Sequence, residues 1–346
     1  MRRAALSVVA VLAAAALASG GGLSAHAGDA EAGRIVAVGD VHGAIASFSA
    51  LLNKAGLIDE QHRWSGGKDV LVQTGDVSDR GAGMRAALDL LMSLEQQAAR
   101  AGGRVHTVLG NHEVMNLVGE TRDATPEIFA TFGGEAEMRE AFGPRGRYGR
   151  WLRSKPVIVD LDDSIFLHGG INPDFSNASV NEINRRARRE LADWDEGVKW
   201  LVDRKLVPAS PRFLEAVEAA RNELERLATE ELREHPETPR IAARLIPVAN
   251  IGATSLFSPD GPLWFRGFST WTDEEGEARI SAVLAKLKAK RLVTGHTVQQ
   301  TRRITERFGG RLFLIDTGML GGRYFPSGRA SALEIVADAT RPLYLD

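Results

Sequence analysis

No cysteine occurs in the 346 residues of this chain. That absence excludes disulfide scaffolds, thiolate metal sites, cysteine nucleophiles and a lipid-modified N-terminal cysteine together. It assigns no redox compartment, because a protein without thiols tolerates any. An excess of one charge is lacking too. Lys and Arg number 43 against 45 Asp and Glu, a formal net charge of −2. A protein built around nucleic acid would show a basic face, so nucleic acid is not an expected partner. Long apolar runs are missing beyond the N-terminal segment, and that one falls short of the ~20 residues that span a bilayer. What remains is ordinary for a globular protein, with 44% hydrophobic and 25% charged residues. Collagen-like, low-complexity and wholly disordered chains are thereby excluded. The length suits one large domain or two ordinary ones.

The first residues read as an export signal. Met1-Arg2-Arg3 is a short basic start, Ala4 to Ala18 is almost wholly Ala, Leu and Val, and Ala25-His26-Ala27 is an A-x-A cleavage pattern. Residues 1–27 are therefore expected to be a signal peptide and 28–346 the mature, secreted and periplasmic chain. An uncleaved anchor is the alternative; after cleavage no stable membrane anchor remains. Arg2-Arg3 reads as an ordinary basic start rather than a twin-arginine signal.

Downstream, short β-rich runs end in the same kinds of residue. Arg34–Val38 runs into Gly39-Asp40, Val70–Thr74 into Gly75-Asp76, Val105–Leu109 into Gly110-Asn111, Ile165–Leu167 into His168, and Leu292–Thr294 into Gly295-His296. Short apolar runs bounded by glycine suit buried strands. Helical patterns lie between them, at Ile45–Ala55, Met84–Arg100, Pro126–Phe142 and Ala278–Lys290. Alternating strands and helices predict an α/β layered domain whose polar strand ends share one edge. Residues 181–234, rich in Arg, Glu, Ala and Leu, predict a helical insertion, either a solvated decoration or a cap over the site. Ile241–Phe268, with its glycines, prolines and aromatics, reads as a long loop approaching the site.

The strand ends carry five motifs: Gly39-Asp40-Val41-His42-Gly43, Gly75-Asp76-Val77-Ser78-Asp79-Arg80-Gly81, Gly110-Asn111-His112-Glu113, His168-Gly169-Gly170 and Gly295-His296-Thr297. Each alone is weak: Gly-Asp is commonly a turn, and a strand-end histidine is commonly a hydrogen-bonded core residue. Jointly they are specific, since four of the eight histidines fall in them, each close to glycine. Carboxylate, neutral imidazole and amide oxygen form a borderline-hard ligand set suited to manganese, iron or zinc. Two such ions sharing a carboxylate lower the pKa of a bound water and clamp phosphate oxygens.

In these motifs the chain resembles the calcineurin-like metallophosphoesterases, within them the phosphoprotein-phosphatase branch, and there the bacterial Shewanella-like phosphatases. The likeness spans about Arg34 to Ser331. It implies a four-layer α/β/β/α sandwich with two divalent or trivalent ions at the strand ends. By motif, Asp40 and His42 would bind the first ion, Asp76 would bridge, and Asn111, His168 and His296 would complete the second. His112 matches the family's general acid and Asp79 its orienting partner. Arg80 matches a phosphate-gripping arginine, with Asn111 also at the phosphate. Arg266 is the candidate second arginine, with Arg302, Arg303, Arg323 and Arg329 as alternatives. Glu113 reads as structural, and Asp316-Thr317-Gly318 matches no ligand position.

There are departures. Ser78 stands where the branch usually has valine. The cysteine-bearing carboxy-terminal loop of eukaryotic Ser/Thr phosphatases is absent. No second histidine follows His296, which argues against the cyclic-nucleotide phosphodiesterases. The expected activity is hydrolysis of phosphomonoesters, with phosphotyrosine or phosphoserine/threonine in proteins as substrate, by a metal-bridging hydroxide. Alternatives are a small-molecule phosphatase, a dinucleotide polyphosphate hydrolase, or a non-catalytic metal-binding scaffold.

Overall fold

The computed structural model describes residues 33–173, 178–229 and 233–345. The expected signal peptide, residues 1–27, lies outside them. No helix among the described residues is long and apolar enough to cross a membrane.

The first sheet holds β1 (Ile35–Val38), β2 (Val70–Gln73), β3 (Arg104–Thr107), β9 (Ser331–Val336) and β10 (Ala339–Tyr344), in the order β10-β9-β1-β2-β3. The second holds β4 (Ile158–Leu161), β5 (Ser164–Leu167), β6 (Arg291–Thr294), β7 (Thr305–Arg307) and β8 (Leu312–Leu314), in the order β4-β5-β6-β8-β7. Each sheet has three parallel strands, β1-β2-β3 and β5-β6-β8, with antiparallel strands at its margins.

Alternation along the strands explains the layering, since successive side chains face opposite sides of a sheet. Ile35, Ala37, Val70 and Val72 of the first sheet share one core with Val159, Phe166, Val293 and Phe313 of the second. Their neighbours Val36, Val38 and Leu71 pack instead with helical residues such as Phe48, Leu51 and Leu88, and Ile165, Leu292 and Leu312 likewise face away from the other sheet. The result is the expected α/β/β/α sandwich, with helices α1 (Ile45–Lys54) and α2 (Met84–Ala101) where the sequence predicts them. Short α3 (Asn111–Leu117) follows β3 directly.

Three local expectations change. Pro126–Phe142 is two helices, α4 (Pro126–Phe132) and α5 (Glu135–Phe142), because Gly133 and Gly134 take φ of 96° and 148° and break the ladder. The helical run near Ala278 starts earlier and ends earlier, at Asp273–Leu287, with Thr272 as its cap. Ile241–Ala249 is not loop but part of a helix, Thr238–Ala249. Pro239 is harmless in a first helical turn, where no N–H partner is needed. Leu245, Val248 and Ala249 bury the helix against its neighbours.

Those neighbours are α7 (Val180–Asp203) and α8 (Phe213–Leu227), which cover most of the expected 181–234 insertion. A capping box starts α7: Glu182 N–H donates to Ser179 Oγ at 3.4 Å, and Glu182 Oε2 accepts from Ser179 N–H at 2.8 Å. Two side chains fasten α7 to the sandwich. Asn184 accepts from Val157 N–H at 2.9 Å and donates to the Ile158 carbonyl at 2.8 Å, extending the edge of β4. Arg153, on α6 (Arg147–Arg153), makes a forked pair with Asp195 at 2.7 and 2.8 Å and donates to the carbonyls of Phe142 and Leu117. Both charged side chains are largely buried. Arg153→Ala strands Asp195 and those carbonyls, so it should cost about 2–3 kcal/mol. Thermal unfolding should register about 5 °C or more of lowered midpoint. The exposed Arg122→Ala is the matched control and should move it little.

Candidate metal centre

The parallel strands of both sheets deliver their polar ends to one place. Asp40 follows β1, Asp76 follows β2, Asn111 and His112 open α3 after β3, His168 follows β5, and His296 follows β6. All six are buried, as is Asp79. His42 (φ 44°), Asp76 (56°), Asp79 (68°), Arg80 (66°) and His296 (67°) all adopt left-handed backbone. Such residues cost of order 1–3 kcal/mol each and persist only where surroundings hold them. Glu113 supplies part of that hold: its buried carboxylate accepts from the N–H groups of Asp76 (2.7 Å), Ser78 (2.9 Å) and Gly110 (2.8 Å). The structural reading of Glu113 agrees with this geometry.

Glycines permit the crowding. At Gly75, φ is 96° and a Cβ would lie 2.6 Å from Gly110 N. At Gly295 a Cβ would lie 2.3 Å from Asp40 Oδ1, the atom that accepts the His296 N–H at 2.9 Å. Any larger residue at either position pushes two strand ends apart.

The tautomers follow from backbone carbonyls, which only accept. His168 Nδ1 donates to Thr74 O (3.0 Å), His42 Nδ1 to Ser78 O (2.8 Å) and His296 Nε2 to Trp264 O (3.2 Å). The opposite nitrogens therefore face the centre. Around His168 Nε2 lie Asn111 Oδ1 at 2.9 Å, His296 Nδ1 at 3.1 Å and Asp76 Oδ2 at 3.2 Å. One proton on that nitrogen serves one of these acceptors and leaves the others facing each other. The set fits a cation. A second group borders it: Asp76 Oδ2 lies 3.6 Å from His42 Nε2, which lies 3.8 Å from Asp40 Oδ2. Two trios of ligating atoms, His42–Asp76–His112 and Asp76–His168–His296, share Asp76.

The electrostatics agree with a cation-binding cluster. Burial, then the charges of Asp316 and Asp76, raise the Asp40 carboxyl well above its usual range. Burial pushes Asp316 up to about 6. Asp76 goes the other way: burial opposes its charge, but His168 and His112 outweigh it and hold the pKa well below the usual value. Burial, reinforced by His168 and Arg266, presses His296 down to about 2, and burial likewise lowers His42, so both imidazoles keep a bare lone pair. Neutral imidazole is the ligand form.

One member of the first trio, His112, also belongs to a proton-handling pair. Asp79 Oδ2 accepts from His112 Nδ1–H at 2.8 Å. Burial disfavours a charged His112, but Asp76 and Asp79 overcome it and raise its pKa. Arg80 donates from one arm to His42 Nε2 (2.6 Å) and from the other to His112 Nε2 (3.1 Å). No carboxylate pairs with its guanidinium among the described residues. Arg266 is exposed at the rim, donating to His296 O (3.2 Å) and Thr297 Oγ1 (2.9 Å). Arg303 and Arg329 lie instead over the ring of Tyr344, and Arg323 over Tyr324.

The sequence reading gave several contributors no specific role. Asn116 donates to both Asp79 oxygens at 3.0 Å and to His112 O at 2.8 Å. Its place one helical turn after His112 was an available signal. Asp316 sits beside Asp40. Gly169 N–H donates to Pro262 O at 2.9 Å, docking the loop whose Trp264 carbonyl orients His296. Glu190 of α7 accepts from Ser255 and Leu256 in that same loop, so the insertion braces it.

Comparison with known proteins gives a consistent picture. The model of the calcineurin-like phosphoesterase family matches residues 33–300. Shewanella-like protein phosphatase 1 of Plasmodium berghei (strain Anka) is 30% identical over 293 residues, covering 83% of this chain and 67% of that protein. Shewanella-like protein phosphatase 2 of Arabidopsis thaliana is 30% identical over 209 residues, covering 48% and 52%. A solved cold-active protein-tyrosine phosphatase of a psychrophile, Shewanella sp., matches with a TM-score of 0.61 at 26% identity, over 90% of this chain and 80% of that one.

Proposed function

Because the chain belongs to the calcineurin-like phosphoesterase family and is a metal-dependent phosphoesterase hydrolase with Shewanella-like protein phosphatase homologues, we propose that it is an exported, dinuclear phosphomonoesterase acting on phosphorylated proteins. The observation that carries this reading is the sharing of Asp76 between two trios of ligating atoms, one of which includes His112, with Arg80 in contact with His42 and His112. Asp40, His42 and Asp76 would hold one ion; Asp76, Asn111, His168 and His296 would hold the other. The donor set suits manganese, iron or zinc. When bound, such ions supply a nucleophile from water and neutralise phosphoryl charge.

The chain's own residues do the rest. Arg80, held by no carboxylate among the described residues, exchanges its contacts with His42 and His112 for the phosphoryl oxygens, a geometry suited to bidentate contact. Arg266, bonded to His296 O and Thr297 Oγ1, is the candidate second arginine. Once the Arg80 arm has left His112 Nε2 for phosphate, His112 carries a proton there and gives it to the leaving oxygen. Asp79 and Asn116 keep its imidazole oriented and favour the charged form. Export rests on the basic start, apolar run and A-x-A pattern of residues 1–27; N-terminal sequencing of the exported protein would begin at Gly28.

The test is to strip the protein with a chelator, resupply manganese, and assay p-nitrophenyl phosphate, a phosphotyrosyl peptide, a phosphoseryl peptide and diadenosine tetraphosphate. Metal should restore monoester turnover. For at least one peptide, kcat/KM should exceed that for the tetraphosphate by about tenfold or more. Metal uptake without turnover of any monoester would overturn the reading. A preference for the tetraphosphate would transfer it to dinucleotide hydrolysis.

A further inference from the structure

We propose that Phe325 is a positioning residue for Arg80, its ring holding the guanidinium without taking up the N–H groups that phosphate needs. The inference rests on Arg80 being the phosphate-holding arginine. The Arg80 Cζ lies 5.3 Å from the centroid of the Phe325 ring. The same ring packs on His42, with centroids 6.0 Å apart and planes 30° from parallel.

The choice of partner has a physical logic. A carboxylate would hold an arginine by its N–H groups and cancel its charge, and an incoming phosphate would have to displace it. An aromatic face attracts the cation through the flat side of the guanidinium. The ring itself takes up no donor and cancels no charge, and the two arms rest on imidazole nitrogens of His42 and His112 rather than on a carboxylate. Freezing a long, rotamer-rich side chain before the ligand arrives lowers the entropy cost of binding.

Phe325 can do this only if it is itself held, and it is. It lies on the loop Gly318–Gly328, whose ends touch: a Cβ on Gly328 would sit 2.0 Å from Gly318 O. Inside the loop, Gly321 N–H donates to Gly318 O (2.9 Å), Phe325 N–H to Gly321 O (3.1 Å) and Gly328 N–H to Phe325 O (2.8 Å). At its neck Thr317 Oγ1 donates to Arg329 O at 2.7 Å, and Arg329 N–H to Thr317 O at 3.2 Å. Met319 is buried, and Leu320 leans on the Asp79-Arg80-Gly81 turn, its Cδ1 standing 2.9 Å from where a Gly81 Cβ would be. The loop's own cation, Arg323, stacks on Tyr324 and does not compete for Phe325.

The experiment uses the metal-loaded mature protein and inorganic phosphate as probe. Calorimetry measures the phosphate dissociation constant, and steady-state assays with p-nitrophenyl phosphate give KM and kcat separately. Phe325→Leu should raise the dissociation constant and KM about three- to thirtyfold, the scale of a partly desolvated cation–π contact. Phe325→Trp should recover most of the loss. In an Arg80→Ala background, Phe325→Leu should add nothing, since the group it acts through is gone. Unchanged phosphate affinity in Phe325→Leu would overturn the inference. So would an equal loss in the Arg80→Ala background, which would make the ring a plain wall. Those failures leave wild-type turnover intact, whereas a wild type that neither binds phosphate nor turns over would overturn the phosphatase reading as well.

Discussion

Asp76→Asn is expected to reduce turnover by more than about 10³-fold, because under the proposed mechanism the metals would supply both nucleophile and charge neutralisation. Asp76 Oδ2 stands 3.2, 3.6 and 3.8 Å from the Nε2 atoms of His168, His42 and His112, while Oδ1 accepts the His112 N–H at 3.0 Å. The amide keeps the size and one acceptor but removes the charge between the two trios. Elemental analysis should therefore find less than the wild-type metal content. Stability gives an independent readout. Without metal, the variant loses attraction to His168 and His112 and also loses repulsion from Asp40 and Asp316. These effects oppose each other, so the two melting temperatures should stay close. Adding manganese at about a hundred times its dissociation constant should stabilise wild type by about 2.7 kcal/mol and the variant far less. Full metal content together with near-normal turnover in the variant would rule out Asp76 as the shared ligand.

His112→Asn should come next in size, lowering kcat by about 10²–10⁴-fold, the range for a lost acid–base group. The loss should depend on the leaving group. Nitrophenolate leaves without much help, whereas phenolate needs the proton, so phenyl phosphate should suffer more than p-nitrophenyl phosphate. The pH profile carries a sign. A general acid works protonated, so activity falls as pH rises through its pKa. Asp76 and Asp79 raise that pKa against burial, so the falling limb should lie above the ordinary imidazole value of about 6.5. The asparagine variant should lack that limb. An equal loss on both esters, with the limb retained, would assign the proton to another group.

The candidate site was more legible than much of the scaffold around it. Asp40, His42, Asp76, Asp79, Arg80, Asn111, His112, His168 and His296 each lie in a short window with glycine, and chemistry confined to short windows can be read without knowing the fold. Strands β1, β2, β3, β5 and β6 were legible for the same reason, as apolar runs ending in those windows. Strands β7 to β10 were not, because they are exposed in part or lack a glycine-ended run, and β9 is paired with β1 from the far end of the chain. The helix Thr238–Ala249 was hidden by Pro239 and Pro247, which read locally as breakers. Packing against α7 and α8 outweighs that local preference.

The order and identity of the reactive side chains belong to the sequence alone: which carboxylates, imidazoles and arginine follow which strand. Their working state belongs to the tertiary structure. The carbonyls of Thr74, Ser78 and Trp264 select the nitrogens that His168, His42 and His296 turn inward. The turns held by Glu113 keep Asp76 in a left-handed backbone that its own residue type does not favour. Phe325 meets Arg80 across the chain: its loop leads into β9, which pairs with β1 beside β2, and Arg80 lies just after β2. Each is a contact between segments distant in the chain. Local residue patterns determine what chemistry is possible, and only the closed fold determines which atoms meet.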